Sequence, residues 1–339
     1  MSGGEDGRHG SSFVRLRVLN KLPHLTMSEI YRQQKKEYFA DRFGIATLKK
    51  EDFIRDLKTA IESYTPFAAG RIGISEQFWM YYPVFLNEHP SAVKSKVFER
   101  HLRLHGFTQA GIFPADPLFY LDYNKMYVES ARTLDYVGLI LDRVIDPQII
   151  RFYGLTNKFV YYRDLVPDKS IPPDSNRCYL QYLRGKRILI VCPFAELLKE
   201  RATKEIFERV WSKTGKQWFY PESVDAVEFP YGFSSDAYDK YPNALKLFES
   251  IASNIRSKEF DVALIAAAGL TVPIASYVKS IGKISISPGG DLQLLFGVIG
   301  ARWRDQERWK RDYFNEAWID MPSKYKPKEI GVCDSGAYW

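Results

Sequence analysis

The chain has 339 residues, 45% of them hydrophobic and 26% charged, with a formal net charge of +7. That composition excludes a disordered or fibrous chain and allows one large α/β domain, or two ordinary ones, around a substantial core. Its three cysteines, Cys178, Cys192 and Cys333, are widely spaced, form no CxxC pair and leave one over, so neither a disulfide framework nor a zinc cluster is indicated and a reducing, cytoplasmic setting is expected.

Residues 1–12 are rich in Gly, Ser and charge and lack the apolar core of a signal peptide, so they read as a disordered tail. Residues 13–64 read as a helical extension and 65–339 as the main domain. Within the extension, 27–65 has helical spacing, with Phe53, Ile54, Leu57 and Ile61 on one face and Thr65-Pro66 as the stop. Residues 67–73 predict a short buried strand running into a glycine turn. An amphipathic helix is expected over 91–105, stopped by Gly106. The aromatic stretch 114–153 reads as mostly helical, with Pro117 and Pro147 as starts, covering one edge of a sheet. Prolines, Asp and Ser make 165–177 a loop.

The second half alternates regularly. Strands are expected at 187–192, 224–229, 261–266 and 283–287, with helices over 195–213, 238–256 and 272–280, the last capped by Gly282. The stretch 262–277, the longest apolar one, falls short of the roughly 20 residues a membrane helix needs, and Pro273 interrupts it. The fold class is therefore α/β, a Rossmann-like, mostly parallel sheet with helices on both faces, whose strand C-terminal ends share one ligand-binding edge.

Three segments should meet at that edge. In 71–76, Arg71 and Glu76 flank Gly73; a guanidinium can hold diphosphate oxygens in pairs, and a carboxylate can act as a base, a sugar-hydroxyl acceptor or a metal ligand. The plainer reading is a surface Arg/Glu pair at a helix start. In 266–273, small residues around Gly269 precede a helix, which suits either phosphate binding or an ordinary turn, without the GxGxxG fingerprint. In 287–302, Gly289-Gly290 can cradle a diphosphate, Asp291 and Gln293 add polar groups, Leu292, Leu295 and Phe296 read as core, and Arg302 either reaches a phosphate or caps a helix.

The run 261–303 resembles, nearly end to end, the GT-D class of glycosyltransferase-like proteins, with Pro273, Lys279, Gly282-Lys283, Gly289-Gly290, the run 292–297, Gly300 and Arg302-Trp303 in register. Residues 187–194 are similar to that family's strand ending in HPF, 314–318 to its NExW segment, and Tyr338-Trp339 to its terminus; the likeness covers about 65–339. The resemblance implies a hexosyltransferase-like enzyme that moves a sugar from a nucleotide donor, with a UDP-sugar expected, to a glycan or lipid-linked acceptor. In the family motif RFGDGE a DxE pair serves metal and donor; here Arg71, Gly73 and Glu76 match, and Ile74 stands at the aspartate position. A divalent ion takes several oxygen ligands, so Mn or Mg held through Glu76 is doubtful and metal-independent donor binding is the expectation.

Ser287 replaces the family's His, Asp291 its Ala, and Gly269-Leu270-Thr271 its Ala-Tyr-Gly. With no histidine after His105, a carboxylate should move the proton, and Glu76 and Asp291 are the catalytic candidates, Glu76 first. Arg71, Gly73, Ser75, Phe194, Gly269, Thr271, Ser287, Gly289, Gly290, Gln293 and Arg302 are the substrate-binding candidates. The alternative is a non-catalytic nucleotide- or sugar-binding relative. No nucleic-acid partner is expected, whereas the positive charge would suit peripheral work at a membrane surface.

Overall fold

The structure is a computed structural model and describes residues 27–91, 95–329 and 336–339. The tail expected at 1–12 lies outside the described residues. The chain divides into two compact units, Met1–Thr47 and Leu48–Trp339. In the first, helix α1 (Met27–Phe43) carries an edge-to-face cluster of Tyr38, Phe39 and Phe43 and ends before Gly44 at φ +68°. The single helical stretch expected over 27–65 is thus two helices, because the left-handed glycine and the strand residues β1 (Thr47–Leu48) intervene.

The second unit opens with α2 (Lys50–Ser63). The Lys49 amide donates to the Asp52 carboxylate at 3.2 Å to start it, and Phe53, Ile54, Leu57 and Ile61 bury its apolar face in the main core. This helix therefore belongs to the domain and not to an extension. Next come β2 (Phe67–Arg71), α3 (Ile74–Glu88), the short helix Lys96–His101 and α4 (Pro117–Thr133), started by the Asp116 carboxylate on the Phe119 amide.

Gly106 does not stop a helix. It lies within a π-helical segment, Leu102–Gln109, and a Cβ there would collide with the Tyr120 ring, so the glycine serves close packing. The stretch 114–153 is likewise not an edge cover: it contains the buried strand β3 (Tyr136–Leu139), and β4 (Lys158–Tyr161) follows.

The second half keeps the expected alternation: β5 (Arg187–Val191), α5 (Ala195–Arg201), β6 (Ser223–Val227), β7 (Val262–Ile265), α6 (Thr271–Ser280), β8 (Ile284–Ile286) and α7 (Asp291–Leu295). The helix expected over 195–213 breaks where Thr203 caps a second one, Lys204–Val210, and that expected over 238–256 begins at Asn243, whose side chain accepts from the Lys246 amide at 3.0 Å.

The strands form one sheet in the order β1-β4-β3-β2-β8-β7-β5-β6, and the registers from β4 to β6 are all parallel. This is an α/β, Rossmann-like architecture. Alternation along the strands divides the two faces. Ile188, Ile190, Val262, Leu264, Ile284 and Ile286 face a core shared with α2, α5 and α7. On the other face Ser285 donates to the Ala275 carbonyl of α6 at 3.1 Å, α6 packs on α4, and α4 packs on α3. Among the described residues no helix is long and apolar enough to cross a membrane.

Candidate functional site

Several neighbouring strands on the C-terminal edge meet the condition for a ligand crevice, namely outgoing chains that turn to opposite faces of the sheet, and two such places carry the sequence segments. After β5 the chain enters α5 on the α2 face, and after β7 it enters α6 on the other. After β2 the chain enters α3, whose Trp79 packs on Tyr123 and Tyr127 of α4, whereas after β8 it enters α7, whose Leu292, Leu294 and Leu295 join the α2-side core.

The β2/β8 crevice holds the first and third sequence segments together. Arg71 ends β2, and its guanidinium lies over Gly289, so closely that a Cβ on that residue would collide with it. Gly289 has φ +60°, which further restricts the position to glycine. Gly290 begins α7 and is covered on its other side by the ring of Tyr338, against which a Cβ would come within 2.7 Å. Backbone at this turn thus runs between a guanidinium and an aromatic ring.

Glu76 sits three residues inside α3, whose N-cap is Gly73. Its carboxylate curls back to accept from the Gly73 and Glu76 amides and feels the Arg71 charge, yet burial outweighs these and pushes the carboxyl above the ordinary range. The side chain retains partial exposure. In this geometry the carboxylate caps the start of α3. Ile74, at the position where the family motif has aspartate, is 58% exposed.

Three buried polar atoms near this edge have no hydrogen-bond partner among the described residues: Ser287 Oγ, Tyr127 OH and Trp79 Nε1. Ser287 follows β8 on the α6 face, with its Oγ 4.0 Å from where a Cβ on Gly70 of β2 would lie. Tyr127, only 1% exposed, is close enough to Glu76 and Arg71 for both charges to act on its hydroxyl, which burial holds well above the usual phenol range. Unsatisfied buried donors cost about 1–3 kcal/mol each, so the Tyr127 hydroxyl beside a carboxyl with a raised pKa is a mark of a site.

Ser75 donates to Gln109 Oε1 at 2.7 Å, and the same oxygen lies 3.1 Å from His105 Nδ1. An amide oxygen only accepts, so His105 carries its proton on Nδ1. Burial lowers the His105 pKa, and its ring stacks on Phe78 at 4.3 Å. The sequence reading placed no role on His105; the π-helical segment that brings it beside α3 has no sequence signal except Gly106.

The other candidates disperse. Asp291 is ion-paired with Lys169, whose ammonium also lies 5.6 Å from the Trp309 ring centroid. A recess beside this pair is lined by Trp211 and the buried Lys216, whose ammonium donates to the Asp168 carbonyl and is held below its ordinary pKa by burial. Gln293 is fully buried and donates to the Val298 and Tyr338 carbonyls at 3.3 and 3.2 Å, tying down the C-terminal residues. Arg302 is exposed and lies over the Tyr338 ring at 4.8 Å. Phe194 is buried against Tyr231.

At the β5/β7 crevice, Thr271 Oγ1 accepts from the Ala267 amide at 2.9 Å, and the Gly269 amide donates to Ala110 O at 2.9 Å. A Cβ on Gly269 would come within 2.8 Å of that oxygen and of the Ile112 side chain. The chain's own segment fills this crevice.

Among the described residues no group of three or more His, Cys, Asp or Glu side chains could hold a metal ion. Around Glu76 the neighbours are amide N–H groups, a guanidinium and the phenols of Tyr123 and Tyr127. That set suits a proton or an anion and does not fit a divalent cation, which takes carboxylate, carbonyl or water oxygens. No family model, curated protein or solved structure matches this chain.

Proposed function

We propose that the chain is a glycosyltransferase that binds a nucleotide sugar at the β2/β8 crevice and passes the sugar to a hydroxyl of a glycan or lipid-linked acceptor. The observation that carries this reading is the Arg71 guanidinium resting on the left-handed Gly289 at a topological switch point. A guanidinium stacked on bare backbone is held by little, so a diphosphate can draw it into paired charge-assisted hydrogen bonds. The small residue beneath it then leaves room for phosphate oxygens.

Proton transfer falls to Glu76. Its raised pKa suits a group that accepts the acceptor's proton as the bond to the anomeric carbon forms. Asp291 is committed to Lys169, which leaves it a lesser claim. Arg71 supplies positive charge at the leaving diphosphate, and no step requires a metal ion.

The test is release of free nucleotide from a panel of UDP-sugars, with and without manganese. Glu76→Gln is the informative variant, because Gln at the third helical position still caps the helix while it cannot take a proton. Turnover by the unaltered chain with a loss of about 10²–10⁴-fold in Glu76→Gln is expected. A second reading, a non-catalytic nucleotide- or sugar-binding protein, draws on the capping role of Glu76 and on Ile74. Ligand-induced stabilisation without turnover of any donor would favour it.

A further inference from the structure

A second concavity opens on the same C-terminal edge, beyond the ends of β5 and β6, with a volume of about 320 Å³. Pro193 follows β5, and Glu228, Phe229, Pro230 and Tyr231 follow β6; Tyr325, from the C-terminal part of the chain, closes the far side. Its volume is at the lower end of the range for small-ligand sites. From the β2/β8 crevice to this cleft is three strand spacings, about 14 Å.

We propose that this cleft binds a sugar ring of a glycan and is an outer acceptor subsite of the transferase reading, on which that role rests, holding a ring remote from the one whose hydroxyl reaches Glu76. Three observations select that chemistry. Aromatic and proline surfaces line the cleft, with Tyr231 partly exposed and packed against Phe194 and Phe233. An aromatic face carries negative charge density and suits the C–H face of a pyranose. Glu228 lies among these rings with one carboxylate oxygen accepting from the Glu196 amide at 3.0 Å, a bond that fixes its orientation while the group remains exposed. A carboxylate accepts several hydrogen bonds, as paired hydroxyls of a sugar offer.

The third observation is charge. Glu228 and Asp236 are balanced by Lys324 and Lys326 in the lining, and Asp236 is further paired with Lys328 at 3.2 Å. A nucleotide's phosphates would meet the Glu228 and Asp236 carboxylates there as well as the lysines, a lining with no net positive charge to hold them. A neutral polyol fits it. The cleft thus complements the β2/β8 crevice, where Arg71 presents a positive charge.

The test is saturation-transfer NMR on the full chain with methyl glycosides of glucose, galactose, mannose and N-acetylglucosamine, and with maltotriose, without any nucleotide. Transfer to ring C–H protons of at least one probe is expected, undiminished by UDP and weakened about tenfold in affinity by Glu228→Gln. Tyr231→Leu should weaken it similarly, and the milder Glu228→Gln serves if that variant misfolds. Absence of transfer from every probe, transfer abolished by UDP, or binding of a proline-rich peptide in the cleft in place of the sugars would overturn the proposal. Because no donor is present, failure here is separate from failure of nucleotide release, and glycoside binding by a chain with no transferase activity would leave the cleft assignment standing while removing its role as an acceptor subsite.

Discussion

Two switch points of this sheet have similar sequences and opposite fates. After β7 and after β8 the chain reads as small residues and glycine leading to a helix, yet the first turn is closed by backbone and the second by side chains. What covers Gly269 is the backbone of Ala110, fixed by a hydrogen bond at 2.9 Å, and the Ile112 side chain. What covers Gly289 is the end of one long side chain, Arg71. A glycine signals that something comes close; whether that partner can leave decides whether the place is packing or a site.

The comparison can be broken first through the helices beside the β2/β8 crevice. Asp146 is fully buried, accepts from Gln77 Nε2 in α3 and from the Asp142 amide, and burial pushes its carboxyl up to about 6 from 3.8. Folded, it keeps its proton to about pH 6, whereas the unfolded chain releases it near 3.8. The native state then binds more protons between those values, so this group's contribution should fall by about 3 kcal/mol as pH rises from 3 to 8. Denaturant melts across that range, with Asp146→Asn as the pH-insensitive reference, measure it. A flat difference between the two proteins would remove Asp146 as a titrating anchor.

Next in size is Gly269→Ala. The added methyl meets backbone oxygen at 2.8 Å and cannot push it aside, so a loss of about 2 kcal/mol in unfolding free energy is expected. Gly289→Ala meets only a guanidinium and a left-handed φ, and should cost about 1 kcal/mol while reducing nucleotide affinity. Equal losses in the two variants would erase the distinction between the turns. Smallest in stability is Arg71→Ala, within about 0.5 kcal/mol, though UDP affinity measured by calorimetry should fall at least about tenfold, as expected for a lost charge-assisted contact.

Much of the fold was legible in the sequence. Strand β7 and residues 188–191 of β5 are unbroken apolar runs because they are buried on both faces, and the alternation with helices leads directly to a parallel sheet. Strands β3 and β4 were hidden because each is only four residues long and sits among aromatic residues that also suit helices. Of the site, the meeting of Arg71 with Gly289 was legible, since both follow ends of parallel strands. The neighbours of Asp291 and the Ser75–Gln109–His105 contacts were not: Lys169 comes from a loop without pattern, and Gln109 from a π-helical segment that no spacing announces. The stripe Tyr120, Tyr123 and Tyr127 on α4 reads as core; that Tyr127 keeps an unpaired hydroxyl beside Glu76 depends on contacts made across the fold.

The central claim is that Arg71 leaves Gly289 to hold a diphosphate. A crystal structure with UDP tests it directly: the account predicts phosphate oxygens at the β2/β8 crevice within hydrogen-bond distance of the Arg71 guanidinium, swung away from Gly289. UDP bound elsewhere on the chain, with Arg71 still resting on that glycine, would contradict it.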